Sequence, residues 1–409
     1  MIITACRACS GELAEIVSLG QLPLANNYLL PEAATTPESR YPLDLVRCRA
    51  CSLVQITYTV PPDVLFKDYL YLSSYSTTML RHAEELVTRV IVTRMLGPNS
   101  LVAEVASNDG YLLQNYVRAG VPVLGIEPAA NVAEIARGRG VHTVEEFFDA
   151  GVATRLRDTH ASGADVIHAN NVLAHVAELN GFVDGFRVLL ADDGVLISES
   201  PYLADFLRKV EFDTIYHEHL CYYSLTALTQ LFRRHDLEVV DCERLSIHGG
   251  SLRIFVRHAR VARPSARVTQ LLDEEREWGV AEARPYARFA AEIERVKREV
   301  ITLIRDLRKQ GRRVSAYGAA AKGTVMLNVC ALGLEDIEFV CDKSPLKQGR
   351  VMPGVHVPIV SPDHLEHSGV DYCLLLAWNV ADEIRREQAA WESRGGRFIV
   401  PSPTVQVLG

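Results

Sequence analysis

The sequence predicts an α/β fold in which a Rossmann-like, doubly wound unit lies between a small cysteine-bearing module and a second Rossmann-like α/β unit. After residue 100, short apolar segments alternate with helically periodic ones, as in LVAEVASNDG, NVAEIARGRG, ADVIHANNVLAHV and GVLISESPYL. Such alternation is typical of a parallel sheet with helices on both faces. Charged, helically periodic residues from 265 to about 311 interrupt it, and it resumes at RRVSAYGAAAKG. We therefore expect four segments: 1–75, 76–262, 263–311 and 312–409.

The first segment is rich in Pro and Tyr and lacks helical periodicity. It contains CRAC twice, which places Cys6 and Cys9 in one C-x-x-C pair and Cys48 and Cys51 in another. Two such pairs provide the four thiolates of a tetrahedral zinc site, and a small segment with little core needs such a staple. Redox disulfides or unrelated thiols are the alternative. Because four thiolates close the site, we expect the zinc to be structural.

The composition limits the classes of partner. Among 409 residues, 43 are Lys or Arg and 51 are Asp or Glu, which gives a net charge of -8. A nucleic-acid-binding domain usually has a basic face instead. No apolar run approaches the length of a membrane span, and MIITACRACS lacks the pattern of a secretory signal. We therefore expect a cytoplasmic protein that binds neither nucleic acid nor membrane.

A cofactor site is predicted where the strands of the first α/β unit end. In LVAEVASNDGYLLQ a buried strand carries Glu104 and turns tightly into a helix, and Glu127 ends the next strand. An acid there can accept hydrogen bonds from the ribose hydroxyls of an adenosine. The turn lacks G-x-G-x-x-G, and its acids suit the charged amino acid of S-adenosylmethionine (SAM), although Ala106 stands where many SAM-dependent methyltransferases have glycine. The alternative is a strand end with incidental acids. The expected cofactor-binding residues are Glu104, Asn108, Asp109, Gly110, Glu127, Asn170 and Asn171.

The segment IYHEHLCYYS, residues 215–224, concentrates ionisable and aromatic side chains. His219 is the candidate general base because imidazole titrates closest to neutral pH. Glu218 would orient a histidine, and Tyr216 would donate to an oxyanion. His217 would face the same side as His219 in an extended segment and diverge from it in a helix. A metal site and a surface loop without chemistry are the alternatives, although H-E-x-x-H is absent.

The second α/β unit has the pattern of a degenerate nucleotide-binding fold. The glycines of AYGAAAKG match neither the dinucleotide fingerprint nor a P-loop, and Lys322 lies in the turn that follows the strand. Asp342 ends the next strand, where a ribose-binding acid would lie. Upstream, HGGSLRIFV places a double glycine between His248 and Arg253. This segment is either a lining of the substrate pocket or a tight turn before a strand.

Taken together and in this order, these blocks resemble the sugar C-methyltransferases of deoxysugar biosynthesis, typified by the C-3'-methyltransferases that act on dTDP-4-keto-6-deoxysugars. The resemblance extends nearly end to end. It is carried by SLGQLPLANNYL, YPLDLVRC-x-x-C-x-LVQI, YLYLSSYS, EVASNDGYLL, NNVLAHV, YHEHLCYYS, HGGSLRIFV, AYGAAAKG, KQGRVMPG and LLLAWN. So many blocks in one order are specific for the family and say little about which sugar is used.

The resemblance implies a monomeric enzyme that uses SAM to methylate a ring carbon of a nucleotide-linked 4-keto-6-deoxysugar. The carbon that the resemblance favours is C-3'. It implies that His219, Glu218 and Tyr216 form the active site, with His175 of NVLAHV and Tyr71 of YLYLSS across the pocket. It also implies that cations of the C-terminal unit hold the nucleotide diphosphate. The expected substrate-binding residues are Lys322, His248, Arg253, Tyr317, Asp342, Lys347 and Arg350.

The chemistry of this reaction is consistent with these residue types. A ring carbon becomes a nucleophile only when a neighbouring ketone allows its proton to be removed, which requires a base and donors to the oxyanion but no metal. The alternative function is an NAD(P)-dependent ketosugar reductase, or both activities in one chain. The absent dinucleotide fingerprint counts against the reductase. A third possibility is a binding protein that has kept the fold and lost the activity.

Overall fold

The computed structural model describes residues 1–35, 37–61, 65 and 72–409. Within these residues the chain forms three sheets. One is small and antiparallel, and the other two are mainly parallel and carry helices. This architecture confirms the predicted fold class.

The small sheet lies in the cysteine-bearing module and borrows one strand from the middle of the chain. Its four antiparallel strands, in spatial order, are β1 (Leu13–Leu22), β2 (Tyr41–Cys48), β3 (Val54–Ile56) and β9 (Cys221–Tyr222). Strand β9 belongs to the segment IYHEHLCYYS, and Tyr222 pairs with Val54. The sheet therefore fixes the module against the segment that carries the candidate base.

The central sheet has seven strands. In spatial order they are β10 (Leu237–Leu245), β11 (Ser251–His258), β8 (Leu190–Pro201), β7 (Ala164–Asn170), β4 (Val102–Val105), β5 (Val123–Ile126) and β6 (Thr143–Val144). The strands from β8 to β6 are parallel, and β11 and β10 extend the sheet antiparallel. Its helices are α1 (Thr77–Arg94), α2 (Leu113–Arg118), α3 (Ala130–Gly138), α4 (Ala150–Thr159), α5 (Leu179–Leu189), α6 (Leu203–Arg208) and α7 (Leu225–Arg233). Parallel strands place their carboxyl ends at one edge, where ligands of such sheets bind.

The C-terminal sheet has six strands. In spatial order they are β14 (Ile359–Val360), β13 (Val340–Cys341), β12 (Val314–Tyr317), β15 (Tyr372–Leu375), β16 (Arg397–Val400) and β17 (Gln406–Leu408). All but β17 are parallel. The remaining helices are α8 (Ala266–Trp278), α9 (Arg284–Lys309), α10 (Ala321–Val329), α11 (Asp363–His367), α12 (Ala381–Glu387) and α13 (Ala389–Ser393). Helix α10 follows the first strand of the unit, as in a nucleotide-binding fold.

The long helix α9 packs against all three parts of the molecule. Its buried residues follow the three- and four-residue spacing of a single face: Tyr286, Phe289, Ile293, Val296, Val300, Ile304 and Leu307. It contacts β1, α6 and β12. The predicted helical connection is thus a packed element of the core.

The boundaries 1–75, 76–262, 263–311 and 312–409 stay a proposal, because β9 lies in the small sheet although it comes from the second segment. Among the described residues, no helix is long and apolar enough to span a bilayer.

Candidate active site and metal centre

The four N-terminal cysteines converge on one point. Cys6 and Cys51 have their sulfur atoms 3.5 Å apart, and those of Cys9 and Cys48 are 3.4 Å apart. All four sulfur atoms lie within 4.8 Å of one another. Tetrahedral zinc with Zn–S bonds of about 2.3 Å places its sulfur ligands about 3.8 Å apart. The thiolate set therefore fits zinc.

The two cysteine pairs form equivalent turns. In each, the residue after the second cysteine is a left-handed serine, Ser10 (φ 58°) or Ser52 (φ 61°), and its amide donates to the carbonyl of the first cysteine. A Cβ on Gly11 would lie 3.0 Å from the sulfur of Cys48. The repeated sequence CRACS thus builds two matching metal-binding turns, with glycine where the sulfur cluster is closest to the backbone.

The predicted cofactor turn follows β4 and is tightly wound. Ala106 (φ 56°), Asn108 (φ 50°) and Gly110 (φ 75°) all adopt the left-handed conformation. The carboxylate of Glu127 accepts hydrogen bonds from the amides of Asn108 (3.0 Å) and Ala129 (3.0 Å). Glu127 therefore ties the ends of β4 and β5 together, and a carboxylate has further lone pairs for a ligand.

Buried acceptors surround this turn. Among the described residues, Glu104 Oε2, Asp109 Oδ1 and Asn170 Oδ1 are buried and have no hydrogen-bond partner. Burial, followed by the charges of Glu127 and Asp109, raises the pKa of Glu104 well above its ordinary value. Buried polar atoms are normally satisfied, so these acceptors fit the hydroxyls and charged amino group of SAM.

The candidate base lies in a turn rather than in an extended segment. The amide of His219 donates to the carbonyl of Tyr216 (2.9 Å). His219 Nδ1 lies 3.1 Å from the carbonyl oxygen of Thr214, and its Nε2 lies 2.8 Å from the hydroxyl oxygen of Tyr216. Because a carbonyl only accepts, Nδ1 carries the proton, and Nε2 presents the lone pair that a base requires.

His175 connects the cofactor strand to this turn. Its ring centroid lies 5.0 Å from that of His219, and the Leu220 amide donates to the Ala174 carbonyl (2.7 Å). Burial lowers the pKa of His175 to about 4, and hydrogen bonds with the backbone of Glu218 and Asn171 oppose the shift. His175 is therefore neutral at physiological pH and bridges the predicted cofactor and catalytic residues.

Glu218 is buried and is oriented by the zinc-binding module. Its Oε1 accepts a 2.7 Å hydrogen bond from Asn26 Nδ2. Burial raises the pKa of Glu218, and the Asn26 amide opposes this. Sequence reasoning missed Asn26, although it lies in the block SLGQLPLANNYL.

His217 diverges from His219. Its ring packs edge-on against those of Tyr41 (5.8 Å) and Tyr58 (6.4 Å), and its Nε2 lies 3.3 Å from the Pro42 carbonyl. Among the described residues, the four cysteines are the one group of His, Cys, Asp and Glu close enough to hold a metal ion. The H-x-H pattern therefore does not form a metal site there.

The predicted cations of the C-terminal unit gather around a residue of the zinc-binding module, Tyr28. The Tyr28 hydroxyl and Lys347 Nζ both donate to the Ala319 carbonyl (2.7 Å each), and Arg350 donates to the Tyr28 carbonyl (3.0 Å). Lys322 Nζ lies 4.6 Å from the ring centroid of Trp378. Lys347 and Arg350 thus lie beside the loop that carries Asn26 and reaches Glu218, and Lys322 lies over Trp378.

Asp342 and Tyr317 lie at the end of the same sheet. Asp342 caps its own turn by accepting a 2.8 Å hydrogen bond from the Ser344 amide, and Lys347 Nζ is 3.9 Å from its carboxylate. The hydroxyl of Tyr317 is buried and has no partner within the described part of the chain. Both positions are compatible with a ligand at this edge.

Arg253 is held elsewhere. It is buried and donates to Glu199 (2.7 Å) and Glu243 (2.9 Å), and His82 also binds Glu199 (2.8 Å). This network joins α1 to the central sheet, and the role of Arg253 in substrate binding stays a prediction. His248 lies in a short turn, Ile247–Gly249, whose placement supports the turn interpretation of HGGSLRIFV. Tyr71 lies outside the described residues.

The fold and the site define a SAM-dependent methyltransferase with a zinc-binding module. Three family models match: a putative zinc binding domain (residues 6–66), a methyltransferase domain (79–241) and a C-methyltransferase C-terminal domain (246–403). The C-methyltransferase NovU of Streptomyces niveus is 39% identical over 410 residues, covering 99% of this chain and 97% of that protein. The chain belongs to this family of C-methyltransferases, and SAM and zinc are its cofactors.

Solved methyltransferases are similar at a lower level. Magnesium protoporphyrin IX methyltransferase (ChlM) of Synechocystis PCC 6803, solved with bound SAM, is 14% identical and covers 44% of this chain and 79% of its own, with a TM-score of 0.33. The glycopeptide N-methyltransferase MtfA, complexed with SAM, is 13% identical and covers 46% and 96%, with a TM-score of 0.34.

Proposed function

We propose that this C-methyltransferase acts on a dTDP-linked 4-keto-6-deoxysugar and methylates the ring carbon C-3' next to the ketone. The observation that carries the proposal is the environment of His219. Its Nδ1 is committed to the Thr214 carbonyl, and its Nε2 lies at the hydroxyl of Tyr216, next to His175. A base paired with oxyanion donors is the arrangement that enolate formation requires.

The proposed reaction begins with proton removal. His219 Nε2 takes the proton from the ring carbon beside the ketone, and the electron pair of the C–H bond moves to give an enolate. In the free enzyme the Tyr216 hydroxyl donates to His219 Nε2. When the sugar is bound, this hydroxyl turns to the enolate oxygen, which frees the Nε2 lone pair for the ring proton, and neutral His175 provides a second polar group. SAM, when bound, would supply the methyl group: the new C–C bond would form as the methyl–sulfur bond breaks, S-adenosylhomocysteine would leave and the ketone would re-form. Glu104, Asn108, Asp109, Gly110, Glu127, Asn170 and Asn171 are the residues that would hold SAM.

The nucleotide is proposed to bind at the edge of the C-terminal sheet. Burial lowers the pKa of Lys347, whose nearest carboxylate, Asp342, is 3.9 Å away. A buried cation of this kind favours an anionic ligand such as a diphosphate. Lys322, Lys347 and Arg350 are the proposed diphosphate contacts. Binding energy from this remote group would position the sugar at His219.

The reaction can be tested with SAM carrying a ¹³C-labelled methyl group and a panel of dTDP-4-keto-6-deoxysugars. We expect S-adenosylhomocysteine and a product whose NMR spectrum shows one-bond coupling between the labelled methyl and a ring carbon. Absence of S-adenosylhomocysteine with every sugar, or an O-methylated product, would contradict the proposal.

Two histidine variants test the assignment of the base. His219→Asn is expected to lower kcat by about 10³-fold or more, because general-base catalysis contributes 10²–10⁴-fold, and to leave the Kd for SAM unchanged. His217→Asn alters the other histidine of the same turn and is expected to retain turnover in the folded enzyme. Equal loss in the two variants would remove His219 from the proposed mechanism.

We also propose that the enzyme works in the cytoplasm as a monomer. Sedimentation of the purified protein with and without substrate tests the oligomeric state.

A further inference from the structure

The carbonyl of Thr214 fixes the tautomer of the proposed base. It accepts from His219 Nδ1 (3.1 Å) and from the hydroxyl of Tyr222 (3.1 Å). Thr214 ends a single 3-10 turn, Phe212–Thr214, that is held by hydrogen bonds from the Thr214 amide (2.9 Å) and hydroxyl (2.7 Å) to the Glu211 carbonyl. The orientation of this turn therefore determines where His219 Nε2 points.

The middle residue of this turn is held by the C-terminal unit. Asp213 is fully buried, and its Oδ2 accepts a 2.7 Å hydrogen bond from the indole Nε1 of Trp378, 165 residues later in the chain. Trp378 begins the turn after β15, and Lys322 Nζ lies over its ring, 4.6 Å from the centroid. A buried carboxylate needs such partners, because an unpaired buried charge is costly.

The charge of Asp213 is balanced from the same side. Burial raises its pKa, and Lys322 and the indole N–H of Trp378 oppose this shift. Glu211, two residues before Asp213, is also buried. Burial raises its pKa, and the charge of Lys322 opposes this shift too. Lys322 therefore lies where it can serve both the buried acids and the diphosphate proposed above.

We propose that Asp213 and Trp378 are positioning residues: through the Phe212–Thr214 turn they hold the His219 imidazole in the tautomer and orientation of a base. This inference rests on the proposed role of His219. It gives the C-terminal unit a second task beside holding the nucleotide. Neither residue touches the reacting atoms, so their effect on the reaction passes through the Thr214 carbonyl.

The test is Trp378→Phe, which keeps an aromatic ring and removes the indole N–H. We expect kcat to fall about 10- to 100-fold, as small misplacements of catalytic groups do, while KM and the Kd for SAM stay within about twofold. The matched control is Trp391→Phe. Trp391 is buried in the same unit, 4.9 Å from Phe398, and its replacement is expected to leave kcat unchanged.

A second readout needs no substrate. In ¹H–¹⁵N spectra of histidine-labelled enzyme, the ring signals of His219 are assigned by their absence from His219→Asn. We expect a single Nδ1–H tautomer in the wild type and in Asp213→Asn, whose amide oxygen can still accept from Trp378. A mixture of tautomers is expected in Trp378→Phe.

The two readouts separate the possible failures. An unchanged kcat and tautomer in Trp378→Phe would overturn this inference, as would an equal loss of kcat in Trp391→Phe. If the wild type shows the fixed tautomer but methylates no ketosugar, the proposed function fails and the positioning inference stands on the spectra.

Discussion

The two parallel sheets each send their first central strand into a tight turn and a helix, but the surroundings of the two turns differ. After β4, the turn at Ala106–Gly110 is surrounded by buried acceptors, of which Glu104 Oε2 and Asp109 Oδ1 have no partner within the described residues. After β12, the carbonyl of Ala319 is already bound by Tyr28 and Lys347. The turn after β4 thus has free acceptors for a cofactor, whereas the turn after β12 is covered by other residues of the protein.

This difference bears on the alternative function. A reductase would place a dinucleotide phosphate against the turn that begins α10. In this chain Thr324 of α10 donates to the Ala25 carbonyl (2.8 Å), and the Tyr28 hydroxyl donates to the Ala319 carbonyl (2.7 Å). The loop of the zinc-binding module therefore covers the turn that begins α10, against which a nicotinamide dinucleotide would place its phosphate, and leaves the proposed diphosphate contacts beside it. The loop connects that turn to the catalytic turn through Asn26.

Removing the zinc site should have the largest effect on the difference between the two turns. Zinc binding contributes on the order of 10 kcal/mol to the folding of small modules, so Cys48→Ser is expected to unfold the module and release Tyr28 from Ala319. Hydrogen exchange should then increase at amides 318–323 and stay slow at 106–110. Cys242→Ser, at a buried cysteine outside the cluster, is the control and should change neither. Unchanged protection at 318–323 in Cys48→Ser would contradict the comparison.

The acids that end the second strands of the two sheets should differ in their effect on SAM. Glu127→Ala removes the carboxylate proposed to accept hydrogen bonds from the ribose hydroxyls of SAM, and a hydrogen bond to a charged group is worth about 1.5–3 kcal/mol. We expect the Kd for SAM, measured by calorimetry, to rise about 100-fold. Asp342→Ala makes the same change in the other sheet and should alter this Kd by no more than about twofold. A similar rise in the Kd for SAM in both variants would contradict the assignment of the SAM site to the turn after β4.

The binding of SAM should also depend on pH through Glu104. Burial and neighbouring carboxylates raise the pKa of Glu104, so it takes up a proton in the free enzyme more readily than an exposed glutamate. This stabilises the folded free enzyme below the ordinary glutamate pKa, and the contribution is lost as pH rises through the raised pKa. A cationic ligand favours the ionised form, so SAM should bind more tightly as pH rises, by up to about tenfold per unit.

Calorimetry in buffers of different ionisation enthalpy tests this prediction. Proton release on SAM binding is expected in the wild type and should disappear in Glu104→Gln. Proton uptake by the wild type, or release that persists in the variant, would contradict the assignment of Glu104.

The smallest expected effect comes from exchanging alanine for glycine in each turn. Ala106 has φ 56°, a conformation that costs an L-residue about 1–2 kcal/mol, so Ala106→Gly should raise the free energy of unfolding by about 0.5–1 kcal/mol. Ala320 has φ -100° and ψ 167°, which any residue adopts, so Ala320→Gly should lower it by about 0.4–1 kcal/mol. Thermal melts of both variants are the measurement. The same sign in both would remove the strain assigned to Ala106.

Several parts of this picture were predictable from the sequence because they depend on local pattern. Alternating periodicity indicated the two α/β units. The repeated CRAC indicated the metal ligands, because the C-x-x-C spacing of a chelating pair is a local sequence pattern. The residue types of the segment around His219 indicated a base and donors, and the resemblance to sugar C-methyltransferases brought in His175; these roles stay predictions.

Other parts depend on contacts that no local pattern records. Asn26 lies 192 residues from Glu218, and Trp378 lies 165 residues from Asp213. A single amide or indole side chain gives no periodic pattern. The contact of His219 with Thr214 is made by a backbone carbonyl, so the residue type at position 214 does not predict it. For the same reason the ion pair between Arg253 and its cross-strand partner Glu199 could not be identified before the strands were paired.

Hydrogen exchange into the substrate tests the central claim, that His219 makes a carbanion equivalent, most directly. The enzyme is incubated in D₂O with S-adenosylhomocysteine and a dTDP-4-keto-6-deoxysugar that it methylates, and the sugar is followed by NMR. The account predicts that the wild type replaces one ring hydrogen beside the ketone with deuterium and that His219→Asn leaves it at the background rate. Equal exchange in the two enzymes, or methylation by a wild type that exchanges nothing, would contradict it.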